Sequence, residues 1–123
     1  MKKVLKWTAI VVSVLVVGLF VAFKLLQYNT KKASPEARAE YKSNGTEVSV
    51  AYSAPSKRGR EIFGGLVPFG QVWRTGANEA TIFKTNQALT LGGKALPAGE
   101  YTLWTIPGPE TWTVIFNGKQ YPW

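Results

Sequence analysis

The chain has 123 residues, 46% of them apolar, and 15 Lys and Arg against 7 acidic residues, for a formal charge of +8. It contains no Cys, His or Asp, which excludes thiol and imidazole nucleophiles, thiolate or imidazole metal sites and disulfides. That length accommodates one small domain plus a further segment, and a cysteine-free chain suits either side of a membrane.

The charge is unevenly spread. Residues 1–40 carry seven cations (Lys2, Lys3, Lys6, Lys24, Lys31, Lys32, Arg38) and two acids (Glu36, Glu40), and they flank an apolar run. Anionic lipid head groups account for such a distribution without nucleic acid, and the eight cations and five acids that follow leave too modest an excess for a nucleic-acid face.

Thr8 to Phe23 is uncharged, and Leu25 and Leu26 extend the run past Lys24. About nineteen residues at ~1.5 Å each match the hydrocarbon thickness, Lys24 can snorkel, and Trp7 and Tyr28 stand where an aromatic belt belongs. The expected organisation is a membrane anchor over residues 1–27, spanning about 7–26, with the bilayer as its partner. Lys2, Lys3 and Lys6 favour a cytoplasmic amino terminus and a domain facing the periplasm or cell exterior. A cleaved signal peptide is the alternative. No small-x-small site follows the apolar run directly, and Ala37-Arg38-Ala39 lies too far on.

Residues 28–45 are polar and are expected to form a stalk, with two helical turns over Pro35 to Tyr41 capped by Ser34. Residues 46–123 are expected to be an all-β sandwich or partly open barrel. Glu47 to Tyr52 alternates, with Val48, Val50 and Tyr52 on one side. A long loop follows, in which the clusters Ile62-Phe63, Leu66-Val67 and Val72 to Arg74 are expected to tuck into the core, since each large apolar side chain left wet forfeits roughly 1.5–3 kcal/mol.

Ala80 to Thr85 reads as the next strand. Ala88 to Leu91 and Lys94 to Leu96 form a hairpin about Gly92-Gly93, Glu100 to Ile106 alternates best of all, and Trp112 to Phe116 precedes the hairpin signal Asn117-Gly118. A returning strand is expected after that turn. If it is lacking, the terminal hairpin presents an edge suited to a protein partner.

The stretch Tyr52 to Thr81, YSAPSKRGREIFGGLVPFGQVWRTGANEAT, is where function is expected, because long irregular loops in small domains tend to carry it. Arg58, Arg60 and Arg74 suit a carboxylate, phosphate or sulfate through bidentate bonds. The competing reading makes them ion pairs with Glu61 or Glu79 that lock the loop. Trp73 beside Arg74, Asn78 and Glu79 suits stacking on a sugar, whereas Trp104 and Trp112, on regular strands, read as core. Glu61 and Glu79 are the weak candidates for a glycosidase-type carboxylate pair. Ser56-Lys57 is a poor dyad, Gly64-Gly65 lacks the setting of a phosphate loop, and no metal or cofactor is implied.

Tyr52 to Thr81 closely resembles an uncharacterised bacterial extracytoplasmic family, a domain of unknown function. Its motif is Y-S-x-P-S followed by G-R-x-I-F-G-x-L-V-P-[YF]-G-x-V-W-R-x-G-A-N-E-A-T. Leu96 to Pro107 and Trp112 to Asn117 match its later L-P-A-G-x-Y-x-L-x-T-I-P and W-T-V-I-F-N segments. The resemblance covers about residues 46–123 and implies an outward-facing module without an established activity. Members continue beyond the last of these strands, which implies that the family's C-terminal part is lacking here. The combined expectation is a membrane-anchored β domain that binds an anionic or carbohydrate-like ligand, or a partner, through residues 52–81. The alternatives are an envelope carbohydrate hydrolase using Glu61 and Glu79, and a structural subunit of a membrane assembly.

Overall fold

The computed structural model describes residues 1–121. It divides into two units, Met1–Lys32 and a second that begins at Ala33. The first is helix α1, Lys2–Ala33, none of whose side chains is buried. It is long and apolar enough to cross a membrane. The helix runs through the first part of the expected stalk because Gln27 to Ala33 contains no Gly or Pro and Thr30 Oγ1 donates to the Gln27 carbonyl at 2.9 Å. Lys31 and Lys32 in the last turn suit its negative end. Pro35 stops it, since the residue before a proline is pushed out of the helical region.

The helical turns expected over Pro35 to Tyr41 are corrected by the structure: Glu36–Ser43 is strand β1. It joins β2, Thr46–Ser53, through Asn44 and Gly45, which adopt φ of 49° and 79°. Two successive positive φ angles make the hairpin turn whose twist matches the strands it connects. Eight cross-strand pairs, from Ser43 opposite Thr46 to Glu36 opposite Ser53, then outweigh a local capping signal. The later part of the expected stalk therefore belongs to the sheet.

The remaining strands are β3 (Trp73–Arg74), β4 (Ile82–Thr85), β5 (Leu89–Leu91), β6 (Lys94–Leu96), β7 (Gly99–Ile106) and β8 (Thr113–Asn117). One antiparallel sheet runs β1-β2-β4-β7. Pairing partners of β7 are β4 along Gly99 to Thr102, β3 at Trp104 and Thr105, and β8 along Thr102 to Ile106. A strand has two edges, so β3 continues the line of β4 and β8 lies opposite. β5 and β6 form a separate hairpin about Gly92 and Gly93. The chain is thus one apolar helix followed in sequence by a sheet-rich antiparallel β domain whose sheets stay open.

Register sorts the side chains. Val48, Val50, Phe83, Tyr101, Leu103 and Phe116 share one face, where the Phe116 ring meets Phe83 and Tyr101 edge-on at 5.0 and 6.3 Å. These positions are half-buried. The fully buried side chains among the described residues are Val67, Ala80 and Pro107 together with Ser53, Thr81, Thr85, Thr102 and Thr105. Three of these hydroxyls are bonded: Thr81 Oγ1 donates to the Thr75 carbonyl at 2.8 Å, Thr85 Oγ1 to the Gln87 carbonyl at 2.7 Å and Thr102 Oγ1 to the Lys119 carbonyl at 3.0 Å.

No strand follows β8 in residues 118–121. Asn117 Oδ1 instead accepts from the Lys119 amide at 2.9 Å, an Asx turn, and the Tyr121 ring lands 5.3 Å from that of Trp104. The Trp123 end of the expected returning strand lies outside the described residues.

Candidate functional site

The chain between β2 and β4 leaves the sheet at Ala54 and returns at Thr81. Its second half is stitched to the sheet: Ala77 donates to the Ser53 carbonyl at 3.2 Å, Leu103 to Thr81 at 3.0 Å and Gly70 to Pro107 at 2.8 Å. β3 adds its pairing with β7. Gly76 is required at this seam, because it has a φ of +81° and a Cβ there would lie 2.7 Å from Thr81 Oγ1.

The first half is held mainly by itself. Leu66 donates to the Glu61 carbonyl at 3.1 Å, Val67 to Ile62 at 2.8 Å and Gly64 to Val67 at 2.9 Å, closing a knot of turns over residues 61–67. A Cβ on Gly64, whose φ is +85°, would lie 2.7 Å from the Phe69 ring. Tight turns splay their side chains, and of this knot only Val67, 8% exposed, is buried. Phe63 is 53% exposed, and Leu66 and Val72 are similarly open. The expectation that all three apolar clusters fill the core is therefore corrected.

Phe63 and Leu66 help to wall a groove of about 550 Å³ between the excursion and the end of β7. Phe63, Leu66 and Trp73 meet Pro107 and Trp112 along it, with the Phe63 and Trp112 rings edge-to-face at 4.7 Å. Trp112 is 45% exposed and belongs to the groove, so its reading as core is corrected. Lys57 and Arg60 supply the cations. The Thr75 hydroxyl is in the same wall, buried and without a hydrogen-bond partner among the described residues.

The family model described as Protein of unknown function (DUF2911) matches residues 34–123. The chain belongs to this family. No curated protein and no solved structure matches the chain. The match begins directly after α1, so the DUF2911 domain includes β1 and its hairpin turn, as the pairing of β1 with β2 requires.

Within the DUF2911 domain the expected site residues separate. Arg60 and Trp73 line the groove. Arg60 Nε donates to the Lys57 carbonyl and Nη2 to the Ser56 carbonyl, both at 2.9 Å. Main-chain oxygens hold this cation, and among the described residues the other three of its five donors have no partner. Arg58 is exposed at a φ of 53° and lies outside the groove wall.

Arg74 and Asn78 brace the seam. Arg74 Nη2 donates to the Asn78 carbonyl at 2.6 Å, and Asn78 Nδ2 donates to the Ser34 carbonyl at 3.4 Å. Glu79 lines a second cavity of about 440 Å³ with Glu36, Arg38 and Tyr52, on the β1 side of the sheet. Glu61 is on the exposed turn. Phe63, Trp112 and Lys57 are among the groove residues that were not expected as site residues.

Proposed function

We propose that this chain is a membrane-anchored DUF2911 domain, facing the periplasm or cell exterior, that binds an anionic carbohydrate-like ligand in the groove of the 52–81 excursion. The observation that carries the reading is the juxtaposition of Phe63, Trp73 and Trp112 with Lys57 and Arg60 along one groove. Flat rings stack on the apolar faces of sugar rings, and the two cations suit a carboxylate or sulfate on the same ligand. Arg74 and Asn78 serve by bracing the wall. The placement of Glu79 at the second cavity and of Glu61 on the exposed turn favours binding over hydrolysis by that pair.

Titration of the full chain in detergent with oligogalacturonate, followed by tryptophan fluorescence, tests the proposal. Saturable binding is expected that weakens at least about tenfold in Trp73→Ala and about threefold in Lys57→Ala, consistent with one lost ring stack and one partly screened ion contact. A neutral maltooligosaccharide is expected to bind more weakly. Equal, unsaturable responses to both sugars would remove the anionic-carbohydrate reading.

A further inference from the structure

Strand β1 ends the sheet: among the described residues it pairs with β2 alone. Its outward backbone groups can be identified. The Ala54 amide donates to the Pro35 carbonyl at 2.9 Å, in register with the β1–β2 ladder, so odd-numbered residues 35 to 43 direct their main-chain groups at β2. Those of Arg38, Glu40 and Lys42 therefore point away from the sheet. Eight residues long, without an internal proline or bulge, β1 is a ready template for another strand.

The order of its side chains selects that strand. Glu36, Arg38, Glu40 and Lys42 occupy one face in the sequence minus, plus, minus, plus, and Arg38 already lies 2.6 Å from Glu40 within the chain. Read in the opposite direction, the series is its own complement. We infer that β1 pairs with β1 of a second copy, antiparallel, about a two-fold axis at Ala39.

In that register Arg38 faces Glu40 of the second copy and Glu40 faces Arg38, in the hydrogen-bonded positions, so the outward main-chain groups and the charges are satisfied together. Two Ala39 residues meet in the close, non-hydrogen-bonded position at about 4.5 Å between Cα atoms, which small side chains allow. On that same face Tyr41, 61% exposed, covers Ala37 of the other copy. A slip of two residues either way sets Arg38 against Arg38 or Lys42, and glutamate against glutamate. Parallel pairing in register also sets like against like. Charges on an edge usually guard it against pairing, but this alternation rejects the neighbouring registers, and only the register centred on Ala39 opposes all four charges of each strand with unlike ones, a slip of four leaving just two of them paired.

The chain has no cysteine, so a single introduced thiol reports the contact. In the detergent-solubilised full chain, Ala39→Cys is expected to form an intermolecular disulfide under mild oxidation at least about tenfold faster than Lys42→Cys. In the proposed pairing two residues at 42 are six positions, or about 20 Å, apart. Association through α1 would not distinguish positions so close in sequence. Adding Arg38→Glu to Ala39→Cys is expected to slow the cross-link about tenfold by opposing like charges, and adding Glu40→Arg as well is expected to restore it. Equal rates at 39 and 42, or failure of the double exchange to restore the cross-link in a protein with unchanged circular dichroism, would overturn the pairing.

Discussion

In β2, β4 and β7 every alternate side chain is directed at a layer, and the deepest positions are hydroxyls whose bonds tie connecting segments to the sheet. In residues 54–72 the reverse holds. Main-chain turns satisfy one another, large apolar side chains stay open, and the only buried one is Val67. The strands are held by packing and by bonded hydroxyls, the excursion by local turns and a few stitches. An apolar residue in this chain is therefore not by itself a core residue: its place depends on whether its backbone is extended along the sheet or curled on itself.

Three substitutions test this contrast, the largest effect first. Thr102 is 0% exposed; its hydroxyl donates to the Lys119 carbonyl at 3.0 Å and accepts from Trp104 Nε1 at 3.4 Å. Thr102→Ala is expected to cost about 2–3 kcal/mol in denaturant unfolding, because it removes a buried methyl and hydroxyl and leaves the Lys119 carbonyl and the Trp104 indole N–H without this partner. Thr102→Ser should recover most of the loss. At the seam between the two regions, Gly76→Ala is expected to cost about 1–3 kcal/mol, for a strained φ and a Cβ pressed on Thr81. Preserved stability there would mean that the seam is looser than its bonds suggest.

Within the excursion, Phe63→Ala is expected to lower stability by less than about 1.5 kcal/mol, well under the ~3–5 kcal/mol of a core phenylalanine, while weakening oligogalacturonate binding. A loss as large as that of Thr102→Ala would erase the distinction between the two regions.

Much of the sheet was legible from residue pattern. Val48 and Val50 alternating with Glu47 and Ser49 marked β2, and Gly92-Gly93 marked the β5–β6 turn, where φ angles of 55° and 77° are those that glycine adopts most readily. β1 was missed although Asn44-Gly45 is an equally strong turn signal, flanked by Ala37, Ala39 and Tyr41 in alternation with four charges. Its apolar residues are small, and Ser34-Pro35 resembles the start of a helix, so the local cue pointed the wrong way until β2 supplied a partner. Of the groove, two lining residues, Arg60 and Trp73, fall among those expected as ligand contacts in the 52–81 excursion. The joining of Phe63 to Trp112 was not legible, because 49 positions of chain separate them and no periodicity links them.

From its residues alone the chain determined an apolar helix long enough for a membrane, the strands with clean alternation, and an irregular stretch rich in glycine and cations. These follow from chain geometry and hydrophobic spacing, which act within a few residues. Tertiary structure decided that Glu36–Ser43 is a strand, that Arg74 braces and Arg60 lines, that Glu79 faces a second cavity, and that the loop's rings wall a groove. Each of those depends on which backbone groups find partners far along the chain, and a partner's position is set only when the sheet has formed.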